Sequence, residues 1–171
     1  MITPKPLPTQ EELLAKFSYS VVTGNLYHKK SRHKSRVGAV AGSTASHKYR
    51  NVCVGSTQYK AHRIIWMLVT GEDPGECEVD HKDGDPLNNA WHNLRLATRN
   101  QNQYNKKTCS HSSTGLKGVV AEPRNTNRPW TALITLDGVR KRLGYFPTPE
   151  EAHAAYCKAA AELHGDFART H

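Results

Sequence analysis

Glu78-Val79-Asp80-His81-Lys82-Asp83-Gly84-Asp85-Pro86-Leu87-Asn88-Asn89-Ala90-Trp91-His92-Asn93-Leu94-Arg95-Leu96-Ala97-Thr98-Arg99-Asn100-Gln101-Asn102 is the stretch whose reading decides the fold. Val79 to His81 and Leu94 to Ala97 read as two short strands, and the Asp, Gly and Asn residues between them as turn formers. Thr98-Arg99-Asn100-Gln101 is a capping box that starts a short helix through Tyr104 to Lys106. The order is strand, loop, strand, helix. Carboxylates, an imidazole and several amides at this density suit a hard divalent cation beside a general base. A calcium loop of the EF-hand kind is excluded, because Trp91 stands where that pattern needs a closing Glu.

The surroundings of this stretch are basic. The 171 residues carry a net charge of +9, which favours a polyanionic partner. From Leu13 to Gly71 there is no Asp or Glu against ten Lys and Arg, and then seven of the fifteen acids fall between Glu72 and Asp85. Acids gathered in one segment of a basic chain suggest a cation site within a phosphate-binding surface. Cys53, Cys77, Cys109 and Cys157 are scattered without a C-x-x-C pair, so no structural zinc is expected, and reduced, mostly buried thiols are. No apolar run approaches a membrane span and the N-terminus lacks an apolar signal core, so no membrane partner and a cytoplasmic location are expected.

Upstream, Thr9-Gln10-Glu11-Glu12 is a capping box for a short helix through Phe17. Residues 19 to 59 read as short antiparallel strands with turns. Tyr59, His62, Ile65, Trp66 and Val69 recur at helical spacing, with Gly71 as the C-terminal cap, and this helix is expected to pack under the Asp80 segment. Downstream, 107 to 115 reads as a linker. Gly118 to Ala121, Trp130 to Leu136 and Arg140 to Phe146 read as three strands, with an Asp137-Gly138 hairpin turn between the last two. Thr148-Pro149-Glu150-Glu151 opens a helix with Ala152, Tyr156, Ala159 and Leu163 on one face, ending near Gly165.

Phosphodiester hydrolysis needs a water, a base and positive charge on the developing oxyanion. His81, with an ordinary pKa of about 6.5, can be the base, while Asp80 and an amide oxygen from the helix after Thr98 can reach a Mg²⁺. The order His81, Asn93, Asn102 in a strand-loop-strand-helix resembles His-Asn-His (HNH) nucleases in the variant whose third histidine is asparagine, found among phage and intron homing endonucleases. Val79-Asp80-His81, Asp83-Gly84, Leu87-Asn88-Asn89, Asn93-Leu94-Arg95 and Asn102 carry the resemblance, and His62-Arg63 fits it. It implies a ββα-metal core with His81 as general base, Asp80 and Asn102 on the metal, and Asn93 bracing the loop and orienting His81. The implied ion is Mg²⁺ or Mn²⁺, and the implied setting a prokaryotic or phage-infected cell. Because neighbours on a regular strand face opposite sides, the strand is expected to end or distort at residues 80 and 81.

Arg124, Arg128, Arg140, Lys141 and Arg142 lie on or between the proposed C-terminal strands, and such a sheet can lie in the major groove of double-stranded DNA. Trp130 reads either as core or as a DNA contact. Gly118-Val119, Trp130-Thr131-Ala132, Leu143-Gly144-Tyr145-Phe146 and Glu150-Glu151-Ala152 through Tyr156 resemble the DNA-binding domain of plant ethylene-response factors over about residues 113 to 168. That family is basic just after Gly-Val, where Val120, Ala121 and Glu122 stand here, so its base contacts do not transfer. Lys29, Lys30, Arg32, Lys34 and Arg36 read as a second phosphate contact.

The expected organisation is an α+β chain: a basic strand-rich region at 1–57, a nuclease core at 58–106, a linker at 107–115 and a DNA-binding domain at 116–171. The expected function is a metal-dependent DNA endonuclease. Its alternative is a sequence-specific DNA-binding regulator with an inactive nuclease centre. A monomer or dimer is expected with no protein partner inferred, nicking being the default for one centre per chain.

Overall fold

The structure, a computed structural model, describes residues 5–31, 34–44, 48–108, 112 and 114–170. It is mixed α and β, with small antiparallel sheets, in two compact units, Met1–Thr98 and Arg99–His171. Among the described residues no helix is long and apolar enough to cross a membrane.

The first unit opens with helix α1 (Gln10–Lys16), started by the expected capping box: Thr9 Oγ1 accepts from Glu12 N, and Glu12 reaches back to the Thr9 amide. Strands β1 (Phe17–Tyr19) and β2 (Leu26–His28) form one hairpin, β3 (Asn51–Val54) and β4 (Thr57–Lys60) a second. Tyr59 therefore pairs with Val52 in a strand and does not extend the following helix. Its helical spacing from His62 is overridden by the turn at Gly55, which commits residues 57 to 60 to the hairpin. Helix α2 (Ala61–Thr70) follows, and Gly71 caps it in the left-handed conformation as expected. Its buried side is Ala61, His62, Ile64, Ile65 and Leu68, while Val69 is exposed.

Strands β5 (Glu78–His81) and β6 (Leu94–Ala97) form the central hairpin. Val79 and Leu94 share one apolar core with Ile64, Ile65 and Leu68 of α2 and with Leu13, Phe17, Leu26 and Val52. The helix thus packs against the Asp80 segment, as its apolar face requires.

The second unit begins with helix α3 (Arg99–Tyr104), then strands β7 (Val119–Ala121), β8 (Trp130–Leu136) and β9 (Val139–Phe146) in that order in one sheet. Asp137 and Gly138 both take positive φ, 49° and 80°, as a tight two-residue hairpin demands. Helix α4 (Pro149–His164) starts at Thr148, whose Oγ1 accepts from Glu151 N. Its buried stripe is Ala152, Tyr156, Ala160 and His164, a strict four-residue repeat, and Leu163 lies outside it at 42% exposure. Gly118 is dictated by packing, because a Cβ there would fall 2.1 Å from the Tyr156 ring.

Cys53 and Cys77 are exposed and Cys157 half-buried, which corrects the expectation of mostly buried thiols. The strand carrying Cys53 buries its neighbours Val52 and Val54 and so turns Cys53 outward. Cys109 lies outside the described residues.

Candidate active site

The expected strand end at residues 80 and 81 is an end and not a distortion. Asp80 pairs in register with Arg95 and His81 with Leu94, and β5 stops at His81, whose carbonyl accepts from Gly84 N at 2.9 Å. Strand alternation puts Val79 and His81 on the side of α2 and Asp80 on the other. On that other side Asp80 Oδ2 accepts from Arg95 Nε at 3.0 Å and Nη2 at 2.9 Å, a buried ion pair between cross-strand neighbours.

The loop that leaves His81 is knitted by its own polar residues. Asn93 donates through Nδ2 to Asp83 Oδ1 at 2.9 Å and to the Asn88 carbonyl at 2.8 Å, and its Oδ1 accepts from Asp83 N at 3.1 Å. Its carbonyl takes Lys82 N at 2.9 Å. Asp83 also accepts from Asp85 N and from Asn88 Nδ2, at 2.8 and 2.7 Å. Burial pushes the Asp83 carboxyl up, but the bonds from Asp85, Asn88 and Asn93, with the nearby His81, bring it to a net position below its ordinary value. Asp83 and Asp85 serve the loop, consistent with their composition as turn residues.

His81 is 4% exposed and is gripped from two directions. Its ring stands edge-on to His62 of α2 at 4.9 Å, with Tyr49 packed against both rings at 5.2 and 6.1 Å and the Lys60 ammonium 4.3 Å above Tyr49. Burial, then the charges of His81, Lys60 and Arg63, hold His62 well below its ordinary pKa, so it is a neutral ring. The hydrogen bond to the imidazole comes from Asn89, with Nε2 and Oδ1 3.0 Å apart. Asn89 Nδ2 donates to the Leu87 carbonyl at 3.2 Å, which fixes the amide with its oxygen toward the ring. That oxygen can only accept, so Nε2 is the donor in this contact.

Sequence reasoning missed two of these groups. Asn89 read as a turn former, and His62 as a helical residue that fits the family. No spacing rule links position 81 to position 89, although burial of an amide beside Asn88 is the kind of signal a structure exposes. Asn93, expected to brace the loop and orient His81, bonds to Asp83 and to the Asn88 carbonyl, and the bond to His81 comes from Asn89. Asn102 lies half-buried on α3, in the second unit. That helix is fastened within its own unit by Lys117 Nζ, which donates to the Tyr104 and Lys106 carbonyls at 2.6 Å, and by the Tyr104 ring stacked on His164 at 3.9 Å.

Among the described residues no three His, Cys, Asp or Glu side chains gather as a metal cage. A carboxylate with amide oxygens is nonetheless the donor chemistry of a hard divalent ion that keeps waters and takes further oxygens from a phosphate.

The residues expected at DNA differ in their surroundings. Arg124 and Arg128 are exposed in the β7–β8 loop. In β9, Gly144 pairs with Ala132 and Arg142 with Leu133, so Leu143 is an extra, bulged residue. Arg140, Arg142 and Tyr145 then lie on the face away from α4, with Arg142 hydrogen-bonded to Tyr145 and stacked over its ring at 4.9 Å, while Lys141 pairs with the buried Ile134 on the other face. Trp130 is half-buried against Val119, Ala132 and Ala152, which makes it a core residue in this structure. Lys29 donates from Nζ to the Leu14 carbonyl at 2.9 Å, near the C-terminal end of α1, and Lys30 is exposed. Arg32 lies outside the described residues.

The family model described as HNH endonuclease matches residues 59–104. An uncharacterized HNH endonuclease of Acanthamoeba polyphaga mimivirus is 38% identical over 108 residues, which are 63% of this chain and 54% of the viral protein. Protein 3.8 of Escherichia phage T7 is 35% identical over 114 residues, 65% of this chain and 92% of the phage protein. The chain thus spans about half the length of the first relative and nearly all of the second. No solved structure matches the chain.

Proposed function

We propose that the chain is an HNH-type nuclease that hydrolyses phosphodiester bonds of double-stranded DNA with His81 as the general base, a reading supported by the HNH endonuclease model over residues 59–104 and by the similarity to a viral HNH endonuclease. The observation that carries this reading is the Asn89 bond to Nε2, which holds the buried His81 imidazole in one orientation at the end of β5, as a general base requires. His62 and Tyr49 restrict the ring, and Asn93 keeps the turn after His81 in one conformation.

Asp80 and Asn102 are the residues we assign to a divalent metal in a ββα-metal arrangement. Such an ion, when bound, supplies positive charge to the scissile phosphate and the leaving 3′ oxygen. Arg95 holds the Asp80 carboxylate in one orientation. We assign residues 58–106 to the nuclease core, 107–115 to a linker and 116–171 to an ethylene-response-factor-like domain. In that domain Arg124, Arg128, Arg140 and Arg142 bind DNA, with Lys141 as a peripheral phosphate contact, and Lys29, Lys30 and Arg32 supply a second phosphate contact. The exposed guanidinium groups on one sheet face support that part.

One observation favours the alternative of a DNA-binding regulator: the Asp80 charge is already matched by Arg95. Supercoiled plasmid with Mg²⁺ or Mn²⁺ separates the two. The hydrolase reading expects nicking by the parent that EDTA abolishes; a parent that binds plasmid without nicking it would establish the regulator.

A further inference from the structure

We propose that Asn89 is the positioning residue of His81, and that the β1–β2 hairpin, outside the stretch matched by the family model, is the clamp that holds Asn89. The inference rests on the role of His81 proposed above. Asn89 is 2% exposed and each of its polar groups is engaged. Its amide N–H and its Nδ2 both donate to the Leu87 carbonyl, and its Oδ1 faces His81 Nε2. Its carbonyl accepts from the Tyr19 hydroxyl at 2.8 Å, across 70 residues of sequence. A buried amide satisfied on every side has one orientation, and rotating it would leave donors facing donors.

The hairpin contributes twice. Tyr19, the last residue of β1, holds the Asn89 carbonyl, and burial pushes its phenol up to about 12, against the backbone of Trp91, so it stays a donor at any physiological pH. Gly24, in the turn before β2, lies flat against the Asn89–Ala90 peptide: a Cβ there would sit 2.4 Å from Ala90 N and 2.5 Å from the Asn89 carbonyl carbon. Gly24 also takes a φ of 69°, so both space and conformation require glycine. The hairpin thereby sets where the Asn89 amide stands and, through it, which nitrogen of His81 bears the proton. A phosphate contact at Lys29 and Lys30 does not account for Tyr19 or Gly24.

Three variants test this: Asn89→Ala removes the acceptor, Asn89→Asp keeps one, and Tyr19→Phe removes the hydroxyl alone. Plasmid nicking with Mn²⁺ is expected to lose about 10- to 100-fold in kcat in Asn89→Ala with KM unchanged. Asn89→Asp is expected to recover most of that loss, and Tyr19→Phe to show a smaller fall. Nitrogen NMR shifts of the His81 ring, at a pH where it is neutral, are expected to place the proton on Nε2 in the parent and in Asn89→Asp, and to show a mixture in Asn89→Ala. Thermal melting checks that each variant folds, and if Asn89→Ala does not, Tyr19→Phe and Asn89→Asp carry the comparison. A parent that nicks nothing overturns the hydrolase reading, while the ring shifts still test the clamp. Loss of activity with the tautomer unchanged, or an Asn89→Ala variant equal to the parent in both readouts, overturns the inference.

Discussion

The central hairpin and the C-terminal sheet handle polar residues in opposite ways. Around β5 and β6, Asp80, His81, Asn89 and Asn93 are all at most 6% exposed and are bonded to one another's neighbours. On β9, Arg140 and Arg142 stand in solvent on a face that leaves the apolar residues to α4. Burying polar groups costs free energy unless each is satisfied, so the first arrangement persists because every member fixes another, and it yields a single geometry. The second costs little and yields a charged surface with long, adaptable side chains. Geometry suits bond-breaking; an exposed charge field suits holding a polyanion.

Substitutions that separate geometry from charge sharpen this contrast. His81→Ala is expected to lower metal-dependent nicking by about 10²–10⁴-fold while plasmid affinity, read by a mobility shift, stays at the parent's value. Equal losses in both measurements would break the division.

Asp80→Ala is expected to abolish nicking and to lower stability in urea, because the half-buried Arg95 loses the carboxylate it pairs with. Adding Arg95→Met should return most of the stability and none of the activity.

His62 gives a pH effect with a definite sign. Its folded pKa lies below the unfolded one, so the unfolded chain binds more protons and stability is lost as pH falls below about 6.5. The limiting slope is about 1.4 kcal/mol per pH unit, and melting curves of a His62→Gln variant should lack that component.

Arg140→Ala with Arg142→Ala is expected to leave kcat intact and to weaken binding, reducing the log-log salt slope by about 0.9 for each phosphate no longer neutralised. Lys141→Ala should change that slope less, because the bulge at Leu143 leaves it on the other face.

Local rules read most of the elements in advance. The capping box at Thr9, the N-cap at Thr148, the Gly71 cap and the Asp137-Gly138 turn depend on residues within four positions, and each formed where expected. The same reach explains the misses. Tyr59 shares helical spacing with α2 but is claimed by a strand pairing with Val52, and the α4 stripe runs through Ala160 and His164 because the sheet selects which side is covered.

For the site, the residues themselves determined the chemistry: an acid, an imidazole and amides in a basic chain, in an order that resembles HNH nucleases. Only the tertiary structure decided that Asn89 and not Asn93 bonds His81, that Arg95 pairs with Asp80, that His62 is a buried neutral ring and that Tyr19 reaches across from β1. Type and spacing are written along the chain, and turns and caps follow from them because their bonds span a few residues. Which amide meets which ring depends on the path of the loop between β5 and β6 and on a hairpin some 70 residues away, and those are set by packing of the whole unit.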